Sequence, residues 1–463
     1  MKFGGTSVGS VEAFRRVAHI VSLYRDAQPI VVVSAMTRVT DALLHCLEQA
    51  ALGQQEAART HVGEHLARYQ DVARQLLGTH EQAAYARTLD VARYELHNLL
   101  QDVGDKLLPR PILHDAVVAY GEHLSSGLLA AVLRENGLSA RFVDARCCIV
   151  TDNRHGCAAP LWDETNQYTR AELLPILDEG VIPLLGGFIG ATLSGKTTTL
   201  GRGGSDYSAA IIGAALGVRE VQIWTDVPGV MTADPRLVPQ AQTVPAMSYD
   251  EAAELAYFGA KVLHPSTLLP AMAKDIPVCV CNSRRPMVAG TAIVRHAPAS
   301  NAIIKAIAFK RGLTVINITS DRMLMAHGFL ARLFDVFNQH ETPVDMVATS
   351  EVSVSVTLDD TRHLDALITA LQAFGEVTVE RDQALICLVG EQLKYTPGVA
   401  SRIFNSIADV NVSMISHGAS AINVSFVVAD NQVERAVKAL HKEFFSTLDE
   451  AVFEAPALAQ AAR

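Results

Sequence analysis

The sequence has little that would suit a membrane, secreted or nucleic-acid-binding protein. The longest apolar runs, such as residues 29–35, are far shorter than the roughly 20 residues that a membrane-spanning helix needs. The N-terminal MKFGG carries no apolar signal core. Acidic residues outnumber basic ones, 49 to 39, whereas nucleic-acid-binding proteins are usually basic. We therefore expect a cytoplasmic protein with no membrane or nucleic-acid partner.

Cysteine and charge are also scarce. Seven cysteines are spread over 463 residues, and no two of them form a C-x-x-C pair. This pattern favours reduced, buried thiols over a disulfide framework. Only 19% of the residues are charged and 49% are hydrophobic, which excludes disorder as the main state. At about 100–200 residues per domain, the chain is long enough for two to four domains.

The first two-thirds of the chain alternate short apolar runs with helical stretches. Residues 29–34, 181–185 and 220–225 are bounded by Gly, Pro or polar residues and predict buried strands. Helical spacing lies between them, at residues 11–23, 206–216 and 248–263. This alternation predicts an α/β domain, residues 1–295, whose mostly parallel sheet is sandwiched by helices.

Residues 41–115 predict a mostly helical lobe within that domain, because charged and apolar residues alternate there at a spacing of 3.6. A solvated lobe without a chemical role and a lobe that serves a functional site are equally compatible with this pattern.

The C-terminal third contains an internal repeat. Residues 328–334 match residues 398–404 at an offset of 70, and residues 352–356 match residues 422–426 at the same offset. Each copy predicts the order strand–helix–strand–strand–helix–strand, which is typical of ferredoxin-like α+β modules. We expect a boundary near residues 289–301, followed by modules over 302–385 and 386–452. We expect the two modules to pack side by side, with a seam between them. They could also exchange strands.

Three glycine-rich segments predict a crevice for a phosphate group. They are residues 2–6 (KFGGT), 186–190 (GGFIG) and 201–206 (GRGGSD). Glycines bring N–H groups close to a ligand, and a following helix N-terminus adds about half a positive charge. In a parallel sheet such loops meet at the carboxyl edge of the strands. The alternatives are an ordinary Gly-Gly turn and, for Asp206, a simple helix cap.

Residues 190–197 match the P-loop pattern G-x-x-x-x-G-K-T literally, but their context argues against a P-loop. The P-loop requires a helix to start at its lysine. Here residues 197–204 (TTTLGRGG) follow, and three β-branched threonines with three glycines disfavour a helix. We expect a short hairpin between two strands instead.

Two further segments place polar groups beside the predicted crevice. Thr225 and Asp226 follow a strand and precede Pro228-Gly229, so they form either a plain turn or a contact with a nucleotide. Glu122 lies in the first turn of a predicted helix, where an acid is also favoured for helix stability alone.

Taken in order, these segments resemble the aspartate kinases of the amino-acid kinase family, and the two C-terminal repeats resemble that family's paired ACT modules. The likeness covers nearly the whole chain, and GRGGSD combined with FGAKVLHP makes it specific. Residues 323–330, residues 344–352 and the helical stretch after Asp41 most resemble the lysine-inhibited type. The catalytic motifs are KFGGTS (2–7), SAMTRVTD (34–41), GE (121–122), GFIG (187–190), TTTLGRGGSDYSAA (197–210), TDVPGVMTADPR (225–236) and FGAKVLHP (258–265).

The resemblance implies transfer of a phosphoryl group from ATP to the side-chain carboxylate of L-aspartate, the first step to lysine, threonine and methionine. The nucleophile, with a reference pKa of about 3.9, is ionised at neutral pH and needs no general base. Catalysis should therefore be positioning and electrostatic stabilisation. Mg²⁺ is implied, held by phosphate oxygens and water rather than by a set of protein ligands.

The resemblance also implies residue roles. Lys2, with the N–H groups of Gly4 and Gly5, should neutralise the transferring phosphoryl group, and Asp206 should orient Lys2. Aspartate should contact Thr40, Glu122, Phe188, Arg202 and Ser205, with Arg202 on the α-carboxylate and Glu122 on the α-ammonium. ATP should contact Lys2, Phe3, Gly4, Gly5, Thr225, Asp226, Met231, Arg236, Lys261 and Val262.

Two positions depart from the family pattern. Several apolar residues usually precede the first lysine and form an opening strand, whereas Met1 directly precedes Lys2 here. We expect that strand to be shortened or to start upstream. Met231 stands where an aromatic residue is common in lysine-sensitive relatives, so it can pack on a base but cannot donate a hydrogen bond.

The repeats predict either feedback regulation, which we favour, or simple assembly into a homodimer or tetramer. Lysine is the expected effector, with threonine and then methionine as competitors. An inactive amino-acid sensor of the same fold is the alternative function, and glutamate 5-kinase and acetylglutamate kinase are the rival enzymes. Lysine should bind at the seam of paired first modules, with Asp345 on its ammonium groups and the rest of the site formed by Met323, Phe329, Leu330, Val344, Thr349 and Ser350.

Overall fold

The structure, a computed structural model, describes residues 1–259, 265–298, 302–324 and 326–446. The N-terminal part is built on an eight-stranded sheet with the order β3-β5-β2-β1-β8-β10-β11-β9. All neighbouring strands are parallel except β10 and β11. The strands are β1 Lys2–Phe3, β2 Val31–Val33, β3 Ala140–Val143, β5 Ile182–Gly186, β8 Val221–Thr225, β9 Ala246–Ser248, β10 Val278–Asn282 and β11 Thr291–Val294.

Helices cover both faces of this sheet, and the predicted α/β sandwich is confirmed. One core joins the sheet to the first six helices, and a second joins its other face to the next four. The helices are α1 Val11–Leu23, α2 Val39–Ala51, α3 Gln55–Leu76, α4 Thr79–Asp105, α5 Arg110–Val118, α6 Tyr120–Glu135, α7 Trp162–Asp178, α8 Gly204–Leu216, α9 Tyr249–Tyr257 and α10 Pro265–Lys274. The helical lobe is therefore α2 to α5.

The literal P-loop sequence forms a hairpin, as predicted. β6 (Ile189–Thr192) and β7 (Thr197–Thr199) pair antiparallel, and β4 (Val150–Thr151) joins them in a three-stranded sheet. Lys196 lies in the exposed turn of that hairpin. Because no helix starts at this lysine, the segment lacks the geometry that holds a phosphate in a P-loop.

Two local predictions need correction. The KFGGTS segment does not lead directly into a helix, since a short 3₁₀ turn (Gly5–Val8) follows and α1 begins at Val11. The Ser10 hydroxyl caps α1 by accepting the N–H of Ala13, so the positive end of that helix lies away from the glycines. The helix predicted over 248–263 ends at Tyr257, and residues 260–263 lie outside the described residues.

The C-terminal repeats share one six-stranded antiparallel sheet with the order β13-β14-β12-β15-β17-β16. Its strands are β12 Ile304–Thr319, β13 Val347–Thr349, β14 Ser353–Leu358, β15 Glu376–Gly390, β16 Met414–His417 and β17 Asn423–Ala429. Its helices are α11 Phe329–Gln339, α12 Leu364–Leu371, α13 Val399–Ser406 and α14 Val433–Phe445.

The two longest strands, β12 and β15, cross both halves of this sheet. Residues 314–319 of β12 pair with β14 and with residues 376–380 of β15, within the first repeat. Residues 304–310 of β12 pair instead with residues 385–390 of β15, beside β17. In the second half of the sheet, residues 304–310 thus occupy the position that residues 376–380, the last strand of the first repeat, occupy in the first half. We therefore propose that residues 304–310 complete the second module. The predicted modules, 302–385 and 386–452, then describe the sequence repeats and not two separate sheets.

One stretch of the described residues, Arg110–Glu135, is long and apolar enough to cross a membrane by length and composition. The apolar-run criterion missed it, because polar residues interrupt its apolar ones. The stretch comprises α5 and α6, and 78% of its most apolar window is buried inside the protein. Its apolar side chains therefore serve the core.

Candidate active site

A cavity of about 300 Å³ opens at the carboxyl edge of the central strands. The segments that follow β1, β2 and β5 meet there with the start of α8, as expected for a parallel sheet. Six of the predicted site residues come together in this cavity. Its lining is Lys2, Ser34, Thr40, Glu122, Phe188, Gly201, Gly203, Gly204, Ser205 and Asp206.

Lys2 and Asp206 form an ion pair at the floor of the cavity. The Lys2 Nζ lies 2.6 Å from the Asp206 Oδ1, and the two side chains are only 10% and 15% exposed. β1 is two residues long but pairs with β2 on one side and β8 on the other, which anchors the Lys2 backbone. A short opening strand therefore holds its lysine firmly.

Glu122 is buried, and no described residue places a countercharge in contact with it. It lies in the first turn of α6 and is 4% exposed, and its Oε2 has no hydrogen-bond partner in the part of the chain that the structure describes. Desolvation by burial raises the pKa of Glu122 to about 7, although Lys2 and backbone N–H groups oppose the shift. An unpaired buried carboxylate that lines a cavity is suited to receive a cationic ligand group.

The glycines around the cavity mainly allow its loops to pack against one another. A Cβ on Gly5 would lie 2.9 Å from the Ala35 carbonyl oxygen, and one on Gly187 would lie 2.6 Å from the Ser205 Cβ. A Cβ on Gly204 would lie 2.6 Å from the ring of Phe188. These contacts are shorter than real Cβ contacts allow. The glycines therefore fix the relative positions of the site loops, which the sequence reasoning did not anticipate.

Phe188 has a backbone conformation that a bulky residue rarely adopts, with φ at +67°. Its N–H donates to the Ser208 Oγ at 2.9 Å, from the first turns of α8. This hydrogen bond ties the loop after β5 to the helix that carries Asp206. The strained backbone is thus held in place by the packing of the site.

Phe3 and Gly4, both predicted to contact ATP, are engaged in packing and in the central sheet. The Phe3 side chain is fully buried and stacks on Trp224, with ring centroids 6.0 Å apart, so it is a packing residue. The Gly4 N–H donates to the Trp224 carbonyl oxygen at 3.2 Å and is therefore engaged in the sheet. Gly5 begins the 3₁₀ turn, where the first N–H groups lack partners within the turn.

The segment after β8 lies next to the glycine loop through a serine bridge. The Ser7 Oγ donates to the Ser283 Oγ at 2.9 Å, and the Ser283 Oγ donates to the Thr225 carbonyl oxygen at 3.0 Å. Thr225 and Asp226 thus stand beside the Lys2 loop, as predicted for residues that share one ligand. Ser283 was missed because it follows β10, and no motif marks that turn.

The remaining predicted nucleotide residues lie further along the chain. Met231 pairs with Thr243 in an isolated bridge, and its sulfur accepts a hydrogen bond from the Thr243 hydroxyl at 3.6 Å. Arg236 is exposed and pairs with Asp234 at 2.5 Å. Neither side chain lines the cavity. Lys261 and Val262 lie outside the described residues.

Arg202 is also not brought into the cavity. Its side chain is exposed on the turn between Gly201 and Gly203, both of which line the cavity. Asp115 supports the strand before this turn, since its buried carboxylate accepts the Thr199 hydroxyl at 2.7 Å and the Thr199 N–H at 3.2 Å. Sequence reasoning offered no signal for Asp115, because its partners are remote in the chain.

The predicted effector residues lie in two parts of the first repeat. Met323, Phe329 and Leu330 surround the start of α11, while Val344, Asp345, Thr349 and Ser350 precede, form or follow the edge strand β13. Asp345 is not free. Its carboxylate binds the Lys310 Nζ at 2.9 Å and accepts the Tyr257 hydroxyl at 3.1 Å.

Comparison with known families gives two matches. Residues 1–282 match the amino acid kinase family, and residues 386–444 match the ACT domain family. Among characterised relatives, the lysine-sensitive aspartokinase 3 of Escherichia coli is 38% identical over 96% of this chain and 98% of its own length. The chloroplastic aspartokinase 2 of Arabidopsis thaliana is 37% identical over 96% of this chain and 84% of its own length.

Solved structures agree with these matches over the whole fold. E. coli aspartokinase III in complex with aspartate and ADP, the R-state, superposes with a TM-score of 0.83 at 36% identity. The same enzyme in complex with lysine and aspartate, the T-state, superposes with a TM-score of 0.79 at 37% identity. Both comparisons cover 96% of this chain, and they cover 99% and 98% of those chains.

Proposed function

Since the chain belongs to the amino acid kinase family, in its aspartokinase branch with C-terminal ACT modules, we propose that the cavity transfers the γ-phosphoryl group of ATP to L-aspartate. The product is 4-phospho-L-aspartate. One observation carries the assignment of the site: a buried ion pair, Lys2–Asp206, and a buried carboxylate, Glu122, line the same cavity, and among the described residues the Glu122 Oε2 has no hydrogen-bond partner.

The transfer step needs cations and N–H donors rather than a general base. The aspartate side chain attacks as a carboxylate, so two anions must approach each other. Lys2 supplies a fixed positive charge, and Asp206 keeps its ammonium group in one position. The Gly5 N–H is the backbone donor best placed to help Lys2. Preorganised charge of this kind stabilises the phosphoryl oxygens without reorganisation during the reaction.

We assign the recognition of aspartate to the charged residues that do not take part in the Lys2–Asp206 ion pair. Glu122 receives the α-ammonium, because its buried carboxylate lines the cavity and its Oε2 has no hydrogen-bond partner among the described residues. Thr40, Phe188 and Ser205 line the space beside it. We assign the α-carboxylate to Arg202, whose exposed guanidinium needs to turn toward the cavity when the substrate binds.

The enzyme is an ATP-using kinase, and we propose that the nucleotide lies beside Thr225 and Asp226. Met231, Arg236, Lys261 and Val262 complete this proposed site. Mg²⁺ would reach the site bound to the phosphates of ATP. This fits the donors present, since in the described part of the chain no three His, Cys, Asp or Glu side chains gather to bind a metal.

One assay tests this function. Purified protein with ATP, Mg²⁺ and L-aspartate should produce ADP in a coupled assay, and hydroxylamine should trap the acyl phosphate. L-glutamate and N-acetyl-L-glutamate as acceptors test the two rival enzymes. An inactive sensor of the same fold would bind lysine but give no ADP above the background without acceptor.

We propose that lysine inhibits by competing for Asp345. Lys310 already presents an ammonium group to that carboxylate, and free lysine carries the same group. Tyr257, the last residue of α9, joins Asp345 to the catalytic domain. Lysine at Asp345 would therefore disturb a contact between the regulatory sheet and the catalytic domain. An inhibitor must bind an inactive state more tightly than the active one, and breaking this contact would distinguish the two states.

Thr349→Ile should weaken lysine inhibition about tenfold or more, while leaving kcat without lysine within about twofold. Thr349 lies at the exposed end of β13 and pairs with Val354, so a bulkier apolar side chain changes the proposed site and not the core. The measurement is the lysine titration of aspartate phosphorylation.

His417→Ile is the matched control for this test. In the second repeat His417 pairs with Val424, as Thr349 pairs with Val354 in the first, and it is also exposed. This variant should titrate like the parent protein. Equal weakening in both variants, or an unchanged titration for Thr349→Ile, would contradict a lysine site in the first repeat.

We further propose a homodimer or tetramer formed through the regulatory sheet. The edge strands β13 and β16 expose the apolar side chains of Val347 and Ile415, which are 40% and 48% accessible. Unpaired strand edges of this kind favour association with a second copy. A cytoplasmic location fits the cysteines, all seven of which are free.

A further inference from the structure

The helical lobe inserts one tyrosine directly beneath the cavity. Tyr69, on α3, is fully buried, although the lobe itself lies outside the central sheet. Its hydroxyl donates to the Gly121 carbonyl oxygen at 3.0 Å and lies 3.1 Å from the Ser125 Oγ. Gly121 precedes Glu122, so this contact is one residue away from the unpaired carboxylate.

Ser125 extends the contact to a second cavity segment. Its hydroxyl donates to the Gly121 carbonyl oxygen at 2.9 Å and accepts the N–H of Met36 at 3.0 Å. Met36 belongs to residues 34–40, which follow β2, end in the first turn of α2 and are called the Thr40 loop here. Ser34 and Thr40 of this segment line the cavity. The tyrosine and serine hydroxyls therefore lie at the junction of the Glu122 helix and the Thr40 loop.

Arg68, which precedes Tyr69 on α3, also contacts this loop. The Arg68 Nη2 donates to the Thr37 carbonyl oxygen at 3.2 Å. The Thr37 hydroxyl in turn donates to the Gly5 carbonyl oxygen at 2.9 Å. Two neighbouring residues of α3 thus hold a loop that contacts both the glycine segment and the start of α6.

We propose that the helical lobe serves the site by positioning it, and that Tyr69 is the positioning residue that sets Glu122 relative to the Thr40 loop. This inference rests on the proposed binding of the substrate ammonium by Glu122. A buried hydroxyl without its partners leaves polar groups unsatisfied, so the contact specifies one arrangement of the two segments. The lobe consequently has a chemical role and is more than a solvated appendage.

Tyr69→Phe tests this role, because it removes the hydroxyl and keeps the ring. The KM for aspartate should rise about five- to tenfold, the effect expected for one buried hydrogen bond. The KM for ATP and kcat should stay within about twofold, since the Thr225 carbonyl oxygen is held by Ser283, which follows β10, and not by the helical lobe. Initial rates of aspartate phosphorylation give all three values.

Tyr85→Phe is the matched control. Tyr85, on α4, is 4% exposed and its hydroxyl donates to the Leu124 carbonyl oxygen at 3.0 Å, so it makes the same bond to α6 without reaching the Thr40 loop. It should lose as much thermal stability as Tyr69→Phe and keep the parent KM for aspartate. Equal KM values in the two variants would overturn the proposal.

Ser125→Ala covers the case in which Tyr69→Phe does not fold. It keeps the tyrosine but removes the acceptor of the Met36 N–H, and it should raise the aspartate KM similarly. An unchanged KM in Ser125→Ala would overturn the proposal. Absence of aspartate phosphorylation by the parent protein would instead contradict the proposed function, so the two failures are distinguishable.

Discussion

Replacing Lys2 by Met should lower kcat for aspartate phosphorylation by about 10³-fold, the scale of losing one preorganised charge donor. Among the described residues Lys2 is the cation that lines the cavity, and its Nζ is fixed 2.6 Å from Asp206. Without it, the substrate carboxylate and the phosphates repel each other with no compensating charge. The KM values should change much less than kcat, because the loss falls mainly on the transition state.

Lys196→Met is the control for this experiment, and it separates two sequence interpretations. Lys196 is the lysine of the literal P-loop sequence, but it lies in the exposed turn between β6 and β7. Its replacement should leave activity within about twofold. A large loss in Lys196→Met together with a small one in Lys2→Met would show that the phosphate is bound at the hairpin and not in the cavity.

The second large effect concerns Glu122→Gln. Glutamine keeps the size of the side chain but cannot neutralise the α-ammonium, so the KM for aspartate should rise about 10²-fold. Burial raises the pKa of Glu122 to about 7, so the parent carboxylate becomes protonated below that pH. The parent kcat/KM for aspartate should therefore fall as the pH drops below about 7. The variant should lack that decrease, because glutamine does not titrate.

The same substitution should stabilise the protein at high pH. The pKa of Glu122 is about 7 in the folded state and 4.5 for an ordinary glutamate in water, so the folded state binds more protons between these two pH values. The free energy of unfolding therefore falls as the pH rises from about 4.5 to 7, by up to roughly 3 kcal/mol. Glu122→Gln should unfold at a higher temperature than the parent at pH 8, and the difference should be much smaller at pH 5.

Glu251→Gln provides a control of opposite sign. Glu251 is as deeply buried as Glu122, but its carboxylate pairs with the Lys305 Nζ at 2.8 Å. Removing the charge leaves a buried ammonium without its partner, so this variant should be less stable than the parent at pH 8. If Glu122→Gln were also less stable at pH 8, then Glu122 would have a partner that offsets its burial.

Local chemistry allowed several predictions from the sequence that the structure confirms. Three β-branched threonines after Lys196 indicated a hairpin rather than a P-loop helix, and β6 and β7 form it. Parallel strands carry their loops to one edge, so motifs far apart in the chain could be assigned to one cavity. The sequence predicted glycines that bring N–H groups to a phosphate. The structure shows that several of them allow close packing between loops, which depends on neighbours that no sequence spacing reveals.

Non-local contacts account for the features that were missed. Ser283 and Asp115 reach their partners across the fold, and Asp345 meets Lys310 and Tyr257 only because the regulatory sheet packs on α9. The exchange of residues 304–310 into the second repeat was foreseen only as an option. Strand register depends on partners more than 70 residues away, so it cannot be derived from a repeat alone.

The sequence by itself determined the architecture and the family, and it singled out the charged residues Lys2, Glu122 and Asp206 that line the cavity, because periodicity, turn chemistry and motif order are local properties. Only the tertiary structure decided how those charges behave. Glu122 has a raised pKa because the surrounding elements exclude water. The ammonium group of Lys2 is held in position because Asp206, on α8, pairs with it. Burial and ion pairing are properties of the folded neighbourhood, and they decide which of the predicted residues can act.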